Sequence, residues 1–117
     1  MALKKLHKKV IDQMHFELWG ELGTVLDSDA YDGSRVIYAI TNPEKTELVY
    51  IGDTEQGRDV RGRLKSHIKD REKVDFVEEE SDVYIHFMVT EFSVLSCFEE
   101  EVGSLPPCNK RKSQKHT

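Results

Sequence analysis

The sequence predicts an α+β fold in which a three-stranded antiparallel sheet is flanked by helices, with an extra helix at the N-terminus. Two runs of β-branched and aromatic residues, RVIYAIT and LVYIGD, surround the turn-forming segment NPEKTE, which is typical of a hairpin over residues 35–53. A third run, VYIHFMVTEF at 83–92, alternates apolar side chains as a strand does. Between them, VRGRLKSHIKDREK predicts a helix over about 59–73.

Length and composition predict one domain over residues 1–117 with a modest core. The chain is 38% hydrophobic and 33% charged, which suits a thin sheet covered by helices. No run approaches the roughly 20 apolar residues that span a bilayer, and MALKKLHKKV is too polar for a secretory signal. Cys97 and Cys108 form neither a disulfide framework nor a common zinc motif. We therefore expect a cytoplasmic location and no membrane contact.

The charge distribution leaves two interpretations open. The net charge of −5 disfavours a generic nucleic-acid binder. However, residues 1–9 hold four lysines and residues 105–117 hold four further basic residues, and all 22 acids lie between these segments. Because local charge sets phosphate contact, the basic ends could clamp DNA, or they are solvated termini that aid solubility.

The two ends of the chain each predict a helix. Residues 2–19 read as an amphipathic helix that ends at Gly20 and Gly23, and the loop LDSDAYDGS then leads to the hairpin, so residues 1–34 form an N-terminal extension. We expect this helix to pack on the sheet rather than on a second copy. A last helix at about 93–104 stops at Pro106-Pro107. Its core-facing residues are Val94, Leu95, Phe98, Val102 and Leu105.

The hairpin and the helix after it predict a cluster of polar side chains. If Tyr38 pairs directly with Tyr50, both phenols project to one face of the sheet. Arg63 and His67 are four residues apart, so they share a face of the following helix. The spacing therefore predicts that two tyrosines, an arginine and a histidine converge where the hairpin meets the helix.

In this arrangement the chain resembles the GIY-YIG nuclease family over roughly residues 35–110, followed by a basic tail at 111–117. The matching segments are Ile37-Tyr38, Tyr50-Ile51-Gly52, Arg63 to His67, the acidic helix FEEEVGSL and Asn109. The resemblance implies a divalent-metal-dependent endonuclease that hydrolyses phosphodiester bonds in DNA, with Mg²⁺ or Mn²⁺ as cofactor. A homodimer or a larger partner would supply specificity. The alternative is a catalytically inactive module of the same fold that binds nucleic acid or a protein partner.

The resemblance also implies roles for individual residues. Tyr38 is the favoured general base, but a phenol titrates near pH ~10 and needs a nearby cation to serve as one. Arg63 stays charged and suits phosphate binding, whereas Arg61 is out of phase with His67. His67 could hold Tyr50 or the phosphate, or relay a proton. The expected catalytic set is Tyr38, Tyr50, Arg63, His67 and Glu99. The expected substrate-binding set is Arg58, Arg61, Lys65, Lys110 and Arg111.

The metal ligand is the least determined part of this prediction. Counting back from Asn109 by the spacing usual in the family falls on Cys97. Glu99 is our choice of ligand, with Glu101 as the alternative because its helical phase lies closer to the apolar stripe. If neither glutamate reaches the tyrosines, the inactive module is favoured. Gly52 and Asn109 are expected to be structural, with Asn109 capping backbone groups near the site.

Overall fold

A computed structural model of the chain forms a four-stranded antiparallel sheet with helices on both faces, which confirms the α+β class. The structure describes residues 2–28, 30–31, 35–54, 60–69, 76–86 and 91–109. The sheet order is β1-β4-β2-β3. Among the described helices, none has the length and apolar character of a membrane span. The elements are α1 (Lys5–Gln13), β1 (Glu17–Glu21), α2 (Leu22–Val25), β2 (Ile37–Thr41), β3 (Leu48–Asp53), α3 (Val60–Lys69), β4 (Asp82–His86) and α4 (Glu91–Val102).

The predictions of a continuous helix over 2–19 and of three strands are both wrong. Helix α1 ends at Gln13. The next segment forms β1, the additional strand of the sheet, which pairs with β4 in antiparallel orientation. The break is local: His15 has a φ of 58°, in the left-handed region that a right-handed helix cannot contain. Leu18 continues the helical spacing of apolar residues, but it pairs with Tyr84 in the sheet.

Strand β2 is buried along its whole length and separates two apolar clusters. Because strand residues alternate between faces, Tyr38 and Ile40 face one cluster, whereas Ile37 and Ala39 face the other. The Tyr38 side also contains residues of α2, α3 and β4: Leu22, Val25, Val60, Leu64, Val83 and Ile85. The opposite side contains residues of α1, β3 and α4: Val10, Ile11, Leu48, Ile51, Val94, Leu95 and Phe98. The predicted apolar face of the last helix is thus confirmed.

The predicted register of the hairpin is wrong by two residues. Tyr38 lies opposite Gly52, Ile40 opposite Tyr50 and Thr41 opposite Leu48, with a bulge between the last two pairs. The turn explains the shift. Asn42 Oδ1 accepts hydrogen bonds from the amides of Thr46 (2.8 Å) and Glu47 (3.0 Å), which closes a turn over 42–47.

The later elements begin close to their predicted positions. Helix α3 lies inside the predicted 59–73, and residues 70–73 fall outside the described part of the chain. Strand β4 covers Asp82–His86, the first half of the predicted strand, and 87–90 are outside the described residues. Glu91 and Phe92 belong to α4, so the predicted strand end at 92 is wrong.

Candidate functional site

Tyr38 and Tyr50 meet above Gly52 on one face of the hairpin. Their ring centroids are 6.1 Å apart, and the rings are tilted by 43°. A Cβ atom at Gly52 would lie 2.6 Å from both Cζ and the hydroxyl of Tyr38, and 2.7 Å from Cε2 of Tyr50. Any side chain here would therefore collide with both phenols, and glycine is the residue that lets the two rings close over the backbone.

The two phenols differ in their access to solvent. Tyr38 is fully buried among the apolar residues between the sheet and α3, whereas Tyr50 is half-buried at the margin of the same cluster. A fully buried phenol has no direct route to a water molecule. Tyr50 is therefore the member of the pair that can meet a ligand without rearrangement of the core.

Helix α3 brings Arg63 to the same side of the sheet. The helix is anchored by Val60 and Leu64, both of which pack in the cluster that contains Tyr38. Arg63 precedes Leu64 and is half-buried, and its Nε atom is buried. Arginine keeps its charge even in such a position, because its guanidinium is not deprotonated in proteins. The structure thus places a half-buried arginine on the helix that packs against the cluster containing Tyr38.

The other predicted cations are spread out or lie outside the described residues. Arg61 is half-buried, and its Nη1 donates to the carbonyl of Leu26 at 3.4 Å. Lys65 is exposed on α3. The side chain of His67 and the whole of Arg58, Lys110 and Arg111 fall outside the described part of the structure.

Asn109 fixes the backbone of β3 at the point between the second tyrosine and the glycine. Its Oδ1 accepts a hydrogen bond from the amide of Ile51 (2.8 Å), and its Nδ2 donates to the carbonyl of Ile51 (3.0 Å). The side-chain amide therefore pairs with this residue as a neighbouring strand would. The amide of Cys108 also donates to the carbonyl of Val49 at 2.9 Å. Residues 108–109 thereby hold the strand that carries Tyr50.

The candidate metal ligands lie on α4, which packs against the sheet face opposite to Tyr38. Glu101 forms an ion pair with Lys9 of α1, with Oε1 and Nζ 3.0 Å apart, and Glu99 is exposed. Cys97 donates to Gln13 of α1 at 3.3 Å, and burial raises the pKa of its thiol. Within the described residues, no three His, Cys, Asp or Glu side chains are grouped to hold a metal ion. The described residues therefore do not assemble a metal site beside the tyrosines.

His7 is a buried polar residue that the sequence analysis did not single out. Its Nδ1 accepts a hydrogen bond from the amide of Leu48 at 3.0 Å, and its ring meets Phe98 edge-on at 5.1 Å. Burial lowers the pKa of His7, so the neutral ring is the form that accepts this bond. The sequence contained a signal for its position, since His7 is three and four residues before the buried Val10 and Ile11.

Comparison of the chain with protein-family models, with curated proteins and with solved structures finds no match in any of the three. The similarity to GIY-YIG nucleases thus rests on the residues described above. We define Tyr38, Tyr50 and Gly52 as the tyrosine cluster.

Proposed function

We propose that the chain is a cytoplasmic endonuclease that hydrolyses phosphodiester bonds in DNA, with the tyrosine cluster and Arg63 as its site. The observation that carries the proposal is the closure of both phenol rings over Gly52. This arrangement requires one particular register of the β2–β3 hairpin and a glycine at position 52. Packing alone would be served as well by aliphatic residues, which fill a core without a hydroxyl group that has to find a partner.

In this proposal Arg63 binds the scissile phosphate and neutralises charge that develops on its oxygens. Tyr50, the solvent-accessible phenol, orients or deprotonates the attacking water, and Tyr38 holds the ring of Tyr50 in place. Arg61, Lys65 and His67 of α3, with Arg58, Lys110 and Arg111, are the proposed contacts to the rest of the nucleic acid. Asn109 keeps β3 in the register that the tyrosine cluster requires.

The proposed cofactor is Mg²⁺ or Mn²⁺, with Glu99 as its ligand and Glu101 as the alternative. The described residues do not fit such a site at the tyrosine cluster, since Glu101 is engaged by Lys9 and both glutamates are on the helix that covers the other sheet face. The requirement for a metal is therefore tested separately from the role of the tyrosine cluster.

The position of α4 favours a second candidate function. A module that uses Arg63 and the surface cations to bind nucleic acid, or uses this face to bind a protein partner, needs no metal ligand near the tyrosines. The burial of Tyr38 is compatible with this function, because a structural phenol needs no access to water.

A nicking assay on supercoiled plasmid, with Mg²⁺ or Mn²⁺ and with chelator, tests the nuclease. We expect metal-dependent nicking, and we expect Arg63→Ala to lower the rate about 100-fold or more because it removes a charge that stabilises the transition state. Glu99→Ala and Glu101→Ala identify the ligand, and Glu100→Ala, an exposed neighbour in the same helix, is the matched control. Each variant is first shown to unfold as the wild type does.

The same proteins distinguish the second candidate. Folded wild type that binds a labelled oligonucleotide but leaves plasmid and single-stranded DNA intact would refute the nuclease. Loss of that binding in Arg63→Ala, with Glu100→Ala unchanged, would then support a nucleic-acid-binding module. Size-exclusion chromatography of the same samples reports whether a homodimer is present.

A further inference from the structure

The two edge strands of the sheet differ in how their outer backbone groups are used. Along β3, Leu48 donates to His7, Val49 accepts from Cys108, and Ile51 is bonded at both its amide and its carbonyl by Asn109. Along the outer side of β1, no residue of the described part of the chain makes a backbone hydrogen bond. Within the described residues, one edge is thus closed by side chains and the C-terminal segment, whereas no backbone partner covers the outer donors and acceptors of the other.

The outer edge of β1 also exposes an apolar side chain. Leu18 is 57% exposed, the largest fraction for any large apolar residue among those described. Leu18 lies opposite Tyr84 of β4. On the same side of the sheet, Tyr84 lines a cavity of about 230 Å³ together with Leu3 and Ile11. An apolar side chain docked beside β1 would therefore contact Leu18.

The surroundings of this edge are acidic. Exposed glutamates, Glu17 and Glu21, stand at the two ends of β1. Three more exposed glutamates at 78–80 are held beside the start of α2, where the amide of Gly23 donates to the carbonyl of Glu79 at 3.0 Å. Lys45 forms ion pairs with Glu21 and with Asp82 of β4.

We propose that the outer edge of β1 docks an extended segment of another polypeptide that carries lysine or arginine at both ends and an apolar residue between them. Such a segment would join the sheet as a fifth strand, with its backbone on the outer groups of β1 and its apolar residue on Leu18. One cation would pair with Glu17, and the other would share Glu21 with Lys45. A second copy of β1 fits less well. In an antiparallel β1–β1 pair centred on Trp19, Glu17 of each copy would oppose Glu21 of the other.

This docking edge is separated from β2 by β4, and its function does not depend on whether the chain cleaves DNA. The test uses a fluorescein-labelled peptide of alternating threonine and valine with a lysine at each end, and the same peptide with glutamates in place of the lysines. Binding is followed by fluorescence anisotropy at about 0.05 M and 0.5 M NaCl, since screening weakens exposed charge pairs. The protein variants are Glu17→Lys and Leu18→Lys, which alter exposed side chains of the edge.

Two exposed residues elsewhere provide matched controls, Glu44→Lys at the hairpin turn and Leu6→Lys on α1. We expect the basic peptide alone to bind, with weaker affinity at high salt. The two edge variants should bind about fivefold less tightly or worse, and the controls should stay within about twofold of wild type. Backbone amides of β1 should also exchange more slowly in the complex.

Three outcomes would overturn the proposal. They are equal binding of the acidic peptide, equal losses in the edge and control variants, and unchanged amide exchange in β1. Self-association of the protein that is abolished by Leu18→Lys would assign the edge to a second copy instead, despite the opposed glutamates of a β1–β1 pair.

Discussion

The substitution Gly52→Ala tests the geometry of the tyrosine cluster directly. The added methyl carbon would lie 2.6 Å from two atoms of Tyr38 and 2.7 Å from one atom of Tyr50. Carbon atoms in favourable contact are about 3.5–4.0 Å apart, so the overlap is roughly 1 Å at three points. Tyr38 is fully buried and has no solvent-facing position to move to, so the strand or the core has to shift.

We expect Gly52→Ala to lower the free energy of unfolding by about 2–3 kcal/mol, the upper part of the range for overpacked cores. For a domain of this size that corresponds to a melting temperature lower by roughly 6–15 °C. Urea unfolding followed by the fluorescence of Trp19, the single tryptophan, measures the free energy. The double variant Gly52→Ala/Tyr38→Leu should lose less than the sum of the two single changes, by about 1–2 kcal/mol, because the shorter side chain leaves room for the methyl group.

Gly62→Ala is the matched control for this experiment. Gly62 is exposed in helix α3, where alanine is favoured over glycine by about 1 kcal/mol. The same chemical change should therefore stabilise the protein at one site and destabilise it at the other. A Gly52→Ala variant within about 0.5 kcal/mol of wild type would refute the close approach of the two phenols to this strand.

Two further predictions concern side chains that hold the edge of β3. Asn109→Ala should lower the free energy of unfolding, measured in urea, by about 1–3 kcal/mol, because both backbone groups of Ile51 lose their partner. An unchanged free energy would show that water replaces the side-chain amide. Burial lowers the pKa of His7 in the folded state. As the pH falls, the unfolded state therefore binds a proton at His7 at a higher pH than the folded state does. The free energy of unfolding should then decrease as the pH falls below about 6.5. His7→Asn should remove this loss, so that its unfolding free energy depends less steeply on pH below about 6.5 than that of the wild type; equal slopes in wild type and variant would contradict this.

The face of the hairpin was predictable from the sequence, but its register was not. A shift of two residues keeps every side chain on its face, so Tyr38 and Tyr50 meet although each has a different partner from the one expected. The shift itself originates in the turn, where the side chain of Asn42 bonds two backbone amides. Alternation of apolar residues carries no information about such a bond.

The strand β1 was missed because its own residues contain little β pattern. Leu18 falls on the helical period set by Val10 and Met14, and five residues at a sheet edge are too few for clear alternation. The strand forms through pairing with β4, a contact between distant parts of the chain that overrides local preference.

At the candidate site, the residues on the hairpin were easier to predict than those on the last helix. Gly52 and the two tyrosines follow from a short pattern within one supersecondary unit. Three consecutive glutamates, by contrast, point in three directions around a helix, and the sequence does not say which face another helix covers. In the structure Glu101 forms an ion pair with Lys9, and this pair depends on how α1 packs against α4.

The separation of β1 from β4 along the chain matters while the protein is being synthesised. Strand β1 emerges roughly 60 residues before β4, which at 5–20 residues per second is an interval of about 3–12 s. During that time Leu18 and Trp19 of each nascent chain have no strand to pair with. Strand β1 therefore stays without its partner until β4 has left the ribosome, so the sheet closes late in synthesis.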